Sequence, residues 1–148
     1  RVTGAGAGAG ETTTTTTTGG QYKLLLVEDV SLNRALIRMW LLREFSDLHI
    51  VESSNGKEAL VELAKAKREG AQFDIVLMDI SMPIMDGFAC LEEMTSLYGC
   101  QRPPTIAITT GVMYENPAVG TDAKFDQWWD KTDQSALLFG IKALMSEI

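Results

Sequence analysis

The chain has 148 residues, 45% of them hydrophobic and 22% charged, which is enough to bury one core without disulfide or metal staples. A net charge of −7 at pH 7 argues against nucleic acid and anionic membranes as partners, because both attractions come from Lys and Arg. Apolar runs such as Leu24–Val27 fall far short of the ~20 residues of a membrane span. With two cysteines, no CxxC pair and His49 as the one histidine, a zinc site of usual composition is excluded as well.

Arg1–Gln21 is low complexity: a Gly/Ala repeat, Glu11, a Thr12–Thr18 run and Gly19-Gly20. It has almost nothing apolar to bury and reads as a disordered linker with a reach of roughly 25 Å. The glycines do not make a phosphate loop, since no strand precedes them and GK[ST] is missing. The absence of an initiator Met reads as a fragment of a longer chain. From Tyr22 the pattern changes. Tyr22–Glu28 is a short apolar run stopped by acid, the signature of a buried strand. Ser31 reads as the N-cap of a helix with Leu32, Ala35, Leu36, Met39 and Trp40 at helical spacing. Leu48–Val51 is a second strand. Asn55-Gly56 opens a second helix, closed by Gly70.

Phe73–Asp79 is the strongest strand signal, and Asp86-Gly87 leads into a third helix. Pro103-Pro104 precedes a strand at Thr105–Thr109. Gly111–Thr121 holds two glycines and Asn116-Pro117, which predicts a short or irregular fourth helix. Lys124–Trp129 is the fifth strand and Ser135–Met145 the last helix. Cys90, in the third helix, and Cys100, in the loop after it, read as buried or partly buried free thiols of a reducing compartment. Such alternation predicts a mostly parallel sheet covered on both faces, with ligands bound beyond the carboxyl ends of the strands.

Those ends carry Glu28-Asp29, Asp79, Thr109-Thr110 and Asp130-Lys131. Taken singly, each is an ordinary turn, strand or surface residue. Taken together they suit one chemistry. Three close carboxylates repel unless a cation intervenes, and hard oxygen ligands suit Mg²⁺. A carboxylate can also act as a nucleophile toward phosphorus. Lys131 and the Thr109 hydroxyl can then stabilise phosphoryl oxygens.

At these residues the chain resembles the response-regulator receiver domains of two-component signalling. The matching segments are Leu24–Arg34 (LLLVEDVSLNR), Asp74–Gly87 (DIVLMDISMPIMDG), Thr105–Gly111 (TIAITTG) and Phe125–Thr132 (FDQWWDKT). The resemblance covers residues 22–148. It implies a flavodoxin-like doubly wound five-stranded parallel sheet, order 2-1-3-4-5, with helices on both faces. It also implies Asp79 as phospho-acceptor, and Glu28, Asp29, Asp79 and the Ser81 backbone carbonyl as the Mg²⁺ site. Thr109 matches the switch hydroxyl, Lys131 the lysine that pairs with the phosphoryl group, and Trp128 the switch aromatic. The expected partner is a histidine kinase or a histidine-containing phosphotransfer protein, which the first helix would meet. The domain would be a cytoplasmic monomer, free or tethered to a membrane-bound kinase, with no nucleic acid or direct membrane contact.

Three residues depart from the family pattern. Thr132 replaces the proline that follows the lysine, Thr110 stands at a position usually small, and Trp128 is larger than the usual Tyr or Phe. They motivate the alternative of a non-phosphorylated pseudo-receiver acting as an interaction module. A phospho-aspartate hydrolase is disfavoured, because Ser81 occupies the position of its acid/base Asp. The domain's own catalysis is then limited to accepting and slowly hydrolysing a phosphoryl group. A low-complexity segment followed by the fold favours the C-terminal receiver of a hybrid histidine kinase over a stand-alone regulator.

Overall fold

The computed structural model describes residues 22–110 and 124–147. β1 (Tyr22–Val27) leads into α1 (Ser31–Glu44), β2 (Leu48–Ser53) into α2 (Gly56–Arg68), and β3 (Ile75–Asp79) into α3 (Gly87–Tyr98). A 3-10 turn, Gly99–Gln101, precedes β4 (Thr105–Thr109), and β5 (Gln127–Asp130) runs into the last helix, α4 (Gln134–Met145). The linker expected over Arg1–Gln21 and the irregular helix expected over Gly111–Thr121 lie outside the described residues.

The five strands form one parallel sheet in the order β2-β1-β3-β4-β5. This is the flavodoxin-like doubly wound fold, with helices on both faces. Strand side chains alternate between faces, so each central strand feeds two cores. Leu25, Val27, Val76, Met78 and Ala107 pack with Ala59 and Leu63 of α2 and with Cys90, Leu91 and Met94 of α3. Leu24, Leu26, Ile75, Leu77, Ile106 and Ile108 pack with Ile37 and Leu41 of α1 and with Leu137 and Ile141 of α4. No described helix is long and apolar enough to cross a membrane.

Local signals explain most boundaries. Asn55 accepts the Glu58 N–H at 3.0 Å and Asp86 the Ala89 N–H at 2.8 Å, capping α2 and α3. Gly70, at φ 71°, lies just past the end of α2. Ser31 is not the N-cap of α1, as its sequence position suggests. Val30 holds that place and makes no side-chain cap bond. Its own N–H is instead turned onto the Glu28 carboxylate at 3.1 Å. β5 begins at Gln127 rather than Lys124. Asp126 spends its carboxylate on the Thr105 N–H and on Arg102, outside the ladder. Cys90 is fully buried as expected, but Cys100 is exposed, because the 3-10 turn carries it on the surface.

Candidate functional site

The carboxyl edge of the sheet gathers the predicted residues. Val27 closes β1, and the next two residues are Glu28, fully buried, and Asp29, half-buried in a bend. Asp79 ends β3 and Thr109 ends β4, both buried. Carboxylate oxygens of Glu28, Asp29 and Asp79 all lie within 4.8 Å of one another. Lys131, one residue past β5, turns its ammonium inward. It sits 2.8 Å from Glu28 Oε1 and 3.3 Å from Asp79 Oδ2. Its backbone N–H donates to the Thr109 carbonyl at 2.7 Å, which fixes the lysine beside the end of β4.

The electrostatics follow from burial and proximity. Burial first, and then the Glu28 charge, pushes the Asp79 carboxyl up to about 6, against the pull of Lys131. Burial alone would lower Lys131, but the Glu28 and Asp79 carboxylates outweigh it and hold the ammonium above its ordinary value. Three acids facing one ammonium leave an excess of negative charge in a partly dehydrated cleft. That donor set, hard oxygens with uncompensated charge, fits a small divalent cation.

Glu28 is held on several sides by the protein. Its N–H donates to the Ser53 carbonyl at 3.0 Å. Its Oε1 takes Lys131, and its Oε2 takes the Val30 N–H and, at 3.5 Å, the Asn33 amide. Asp29, more exposed, is the freer of the two. Ser81 is exposed two residues beyond Asp79. Gly87 approaches so closely that a Cβ there would lie 2.5 Å from the Asp79 carbonyl oxygen. Ile84, in the intervening loop, takes φ 71° at the centre of a tight turn closed by Met85 N–H on Pro83 O at 2.7 Å.

The three departures have local accounts. The peptide bond between Lys131 and Thr132 is trans, and Lys131 still reaches Asp79. Thr132 anchors the loop by giving both its N–H and its hydroxyl to Asp130 Oδ1, at 2.9 and 2.7 Å. Thr110 is exposed and lines a depression of about 210 Å³ beside Lys131, with Leu36, Ile37 and Trp40. Trp128 is half-buried, its ring 5.4 Å from Phe125 and 6.0 Å from Phe88. Trp129 faces the opposite core. His49 is an exposed β2 residue opposite Lys23 in the ladder.

Arg34 was given no role by its sequence position. Its Nη1 donates to the Glu28 carbonyl at 2.7 Å and its Nε to Glu52 at 3.0 Å. A basic residue in the first turn of the helix after the acidic pair was the available signal. The acid it needs lies on another strand.

The response regulator receiver domain family matches residues 24–139. Stress response regulator protein 1 of Meyerozyma guilliermondii is 33% identical over 111 residues, 75% of this chain and 49% of that protein. Hybrid signal transduction histidine kinase M of Dictyostelium discoideum is 31% identical over 121 residues, 80% of this chain and 5% of that protein. The chain thus spans half or less of these relatives. A similar solved fold is the receiver domain of a sensor histidine kinase from Pseudomonas aeruginosa, with magnesium coordinated in its active-site cleft. Its TM-score is 0.68 at 22% identity, covering 84% of this chain and 98% of that one. With its sheet order, its acidic cluster and this match over most of its length, the chain belongs to the response regulator receiver family and is a receiver domain of two-component signalling.

Proposed function

We propose that Asp79 is the phospho-acceptor and takes its phosphoryl group from a phosphohistidine. The observation that carries this reading is the Lys131 ammonium held between Glu28 and Asp79, with Asp29 beside them. An Asp79 oxygen attacks phosphorus. The O–P bond forms as the P–N bond breaks, and the bonding pair leaves with the imidazole. Asp29, Asp79, the Ser81 carbonyl and Glu28 would hold Mg²⁺, which supplies charge neutralisation for phosphoryl oxygens. Lys131 moves from the carboxylates to a phosphoryl oxygen, and Thr109 donates its hydroxyl to another. Trp128 follows Thr109 as the switch aromatic. With Ser81 in place of a general base, hydrolysis of the acyl phosphate is slow.

The donor is a histidine kinase or a histidine-containing phosphotransfer protein, met on the cytoplasmic side, and the domain acts as a monomeric relay or switch. Residues 22–148 form the working unit and 1–21 its tether. The pseudo-receiver alternative is not favoured, because the acidic cluster and its lysine are both present.

The test is phosphorylation by acetyl phosphate with Mg²⁺, read by intact mass. The expected result is a gain of one phosphoryl group, abolished by EDTA and by Asp79→Asn. The reading fails if neither acetyl phosphate nor a phosphohistidine donor adds mass and beryllofluoride with Mg²⁺ leaves tryptophan fluorescence unchanged.

A further inference from the structure

Asp29 lies where the strand ladder no longer holds the backbone. β1 ends at Val27, the last ladder-like bond of this segment is Glu28 N–H to Ser53 O at 3.0 Å, and Asp29 sits in a bend. What fixes the next peptide is a side chain. The Glu28 carbonyl accepts Arg34 Nη1 at 2.7 Å, and that carbonyl shares a rigid plane with the Asp29 nitrogen and Cα. Pinning the oxygen therefore sets the rotation of the unit from which Asp29 projects.

The guanidinium is itself held. Arg34 Nε pairs with Glu52 Oε1 at 3.0 Å, and Arg38 Nε braces the other Glu52 oxygen at 2.9 Å. Glu52 is fixed in turn by β2, in register with Leu26. Arg34 is the more enclosed of the two arginines, with 21% of its side chain exposed against 41% for Arg38. The planar fork reaches the carbonyl from Nη1 and the carboxylate from Nε, two nitrogens held apart in one rigid plane, whereas the donors of a lysine all share one nitrogen.

We propose that Arg34, oriented by Glu52, is a positioning residue that sets the Mg²⁺ affinity of the acidic pair, an inference that rests on Asp29 being a Mg²⁺ ligand. Arg34 touches no reacting atom and acts through the Glu28–Asp29 peptide. α1 does not depend on it for docking, since Ile37 and Leu41 supply the buried contacts. A merely surface ion pair would leave metal binding alone.

The experiment uses the full chain and its variants Arg34→Ala, Arg34→Lys, Glu52→Gln and the double variant Arg34→Ala/Glu52→Gln. Acetyl phosphate phosphorylation is followed as Mg²⁺ is titrated. Arg34→Ala raises the half-saturating Mg²⁺ concentration about tenfold, the usual scale for groups that orient metal ligands. Arg34→Lys rescues little of it. Glu52→Gln gives a smaller rise, and the double variant is no worse than Arg34→Ala, because both changes remove one device. The maximal rate at saturating Mg²⁺ stays within about twofold of the parent.

A half-saturation unchanged in Arg34→Ala, an additive double variant, or a fall in maximal rate alone overturns the proposal. If Arg34→Ala fails to fold, Arg34→Lys and Glu52→Gln decide it by the same criterion. A parent that shows no Mg²⁺-dependent phosphorylation defeats the functional reading instead. The positioning claim is then judged in EDTA by amide exchange at Asp29, which Arg34→Ala must accelerate relative to Ile37 and Leu41, and an unchanged rate at Asp29 rejects it.

Discussion

Asp79 is held in an environment that its ionised form dislikes. Burial and the Glu28 charge push it up to about 6, while an unfolded aspartate sits near 3.8. The folded state therefore binds this proton more tightly than the unfolded state. Ionised Asp79 destabilises the metal-free fold fully above pH 6, progressively less between 6 and 3.8, and not at all below. Asp79→Asn should accordingly stabilise the metal-free protein at pH 7.5 by roughly 1–3 kcal/mol. The gain should shrink on acidification and vanish near pH 4, as read by urea unfolding in EDTA across that range. A variant less stable than the parent at pH 7.5 would mean that the Lys131 contact outweighs the repulsion. Glu28, Asp29 and Asp79 were legible as a group because each follows an apolar strand run. That Glu28 shares Lys131 with Asp79 was not legible, because the pair closes across 103 residues of chain.

The elements were legible where a local signal agreed with the tertiary demand. Asn55 and Asp86 cap the helices that their sequence positions announce. Ser31 did not, because the Val30 carbonyl already accepts the Arg34 N–H at 2.9 Å and the helix begins one residue earlier. The tandem Trp128-Trp129 was ambiguous in sequence. Strand alternation sends Trp128 to the α2/α3 side and Trp129 to the α1/α4 side. Trp129 fits only because α4 has a glycine opposite it: a Cβ on Gly140 would lie 2.2 Å from the Trp129 ring. Gly140→Ala should gain about 1 kcal/mol of helix propensity and still come out destabilised, because overpacking costs typically 1–3 kcal/mol or more. Denaturant unfolding of Gly140→Ala, with and without Trp129→Leu, checks this. The second substitution should recover part of the loss. Stability equal to the parent in the single variant would show that the ring moves freely.

For the molecule as a whole, the sheet divides two apolar layers and presents its charged groups at one edge. Adding a divalent ion there should stabilise the fold by linkage, since the unfolded chain has no preformed site. Free Mg²⁺ in about tenfold excess over its dissociation constant adds roughly 1.4 kcal/mol. Thermal unfolding with and without Mg²⁺ should show the increase, and Asp29→Asn should remove it. An identical shift in Asp29→Asn would place the ion elsewhere. The parallel sheet covered on both faces was readable from the alternation, and its strand order from the family resemblance. The exposure of Cys100 was not, because it depends on how the 3-10 turn leaves α3. The two thiols differ in a way of practical use. Cys90 is sealed in the α2/α3 layer and pushed up to about 12 by burial, then by Glu93 and Asp86, so almost none of it is thiolate at neutral pH. Cys100 lies on the surface before β4, at the end of the sheet opposite Asp79. A maleimide dye added to the unmodified chain would therefore mark one position, remote from the phosphorylation chemistry, and report docking or rotation without a cysteine having to be engineered.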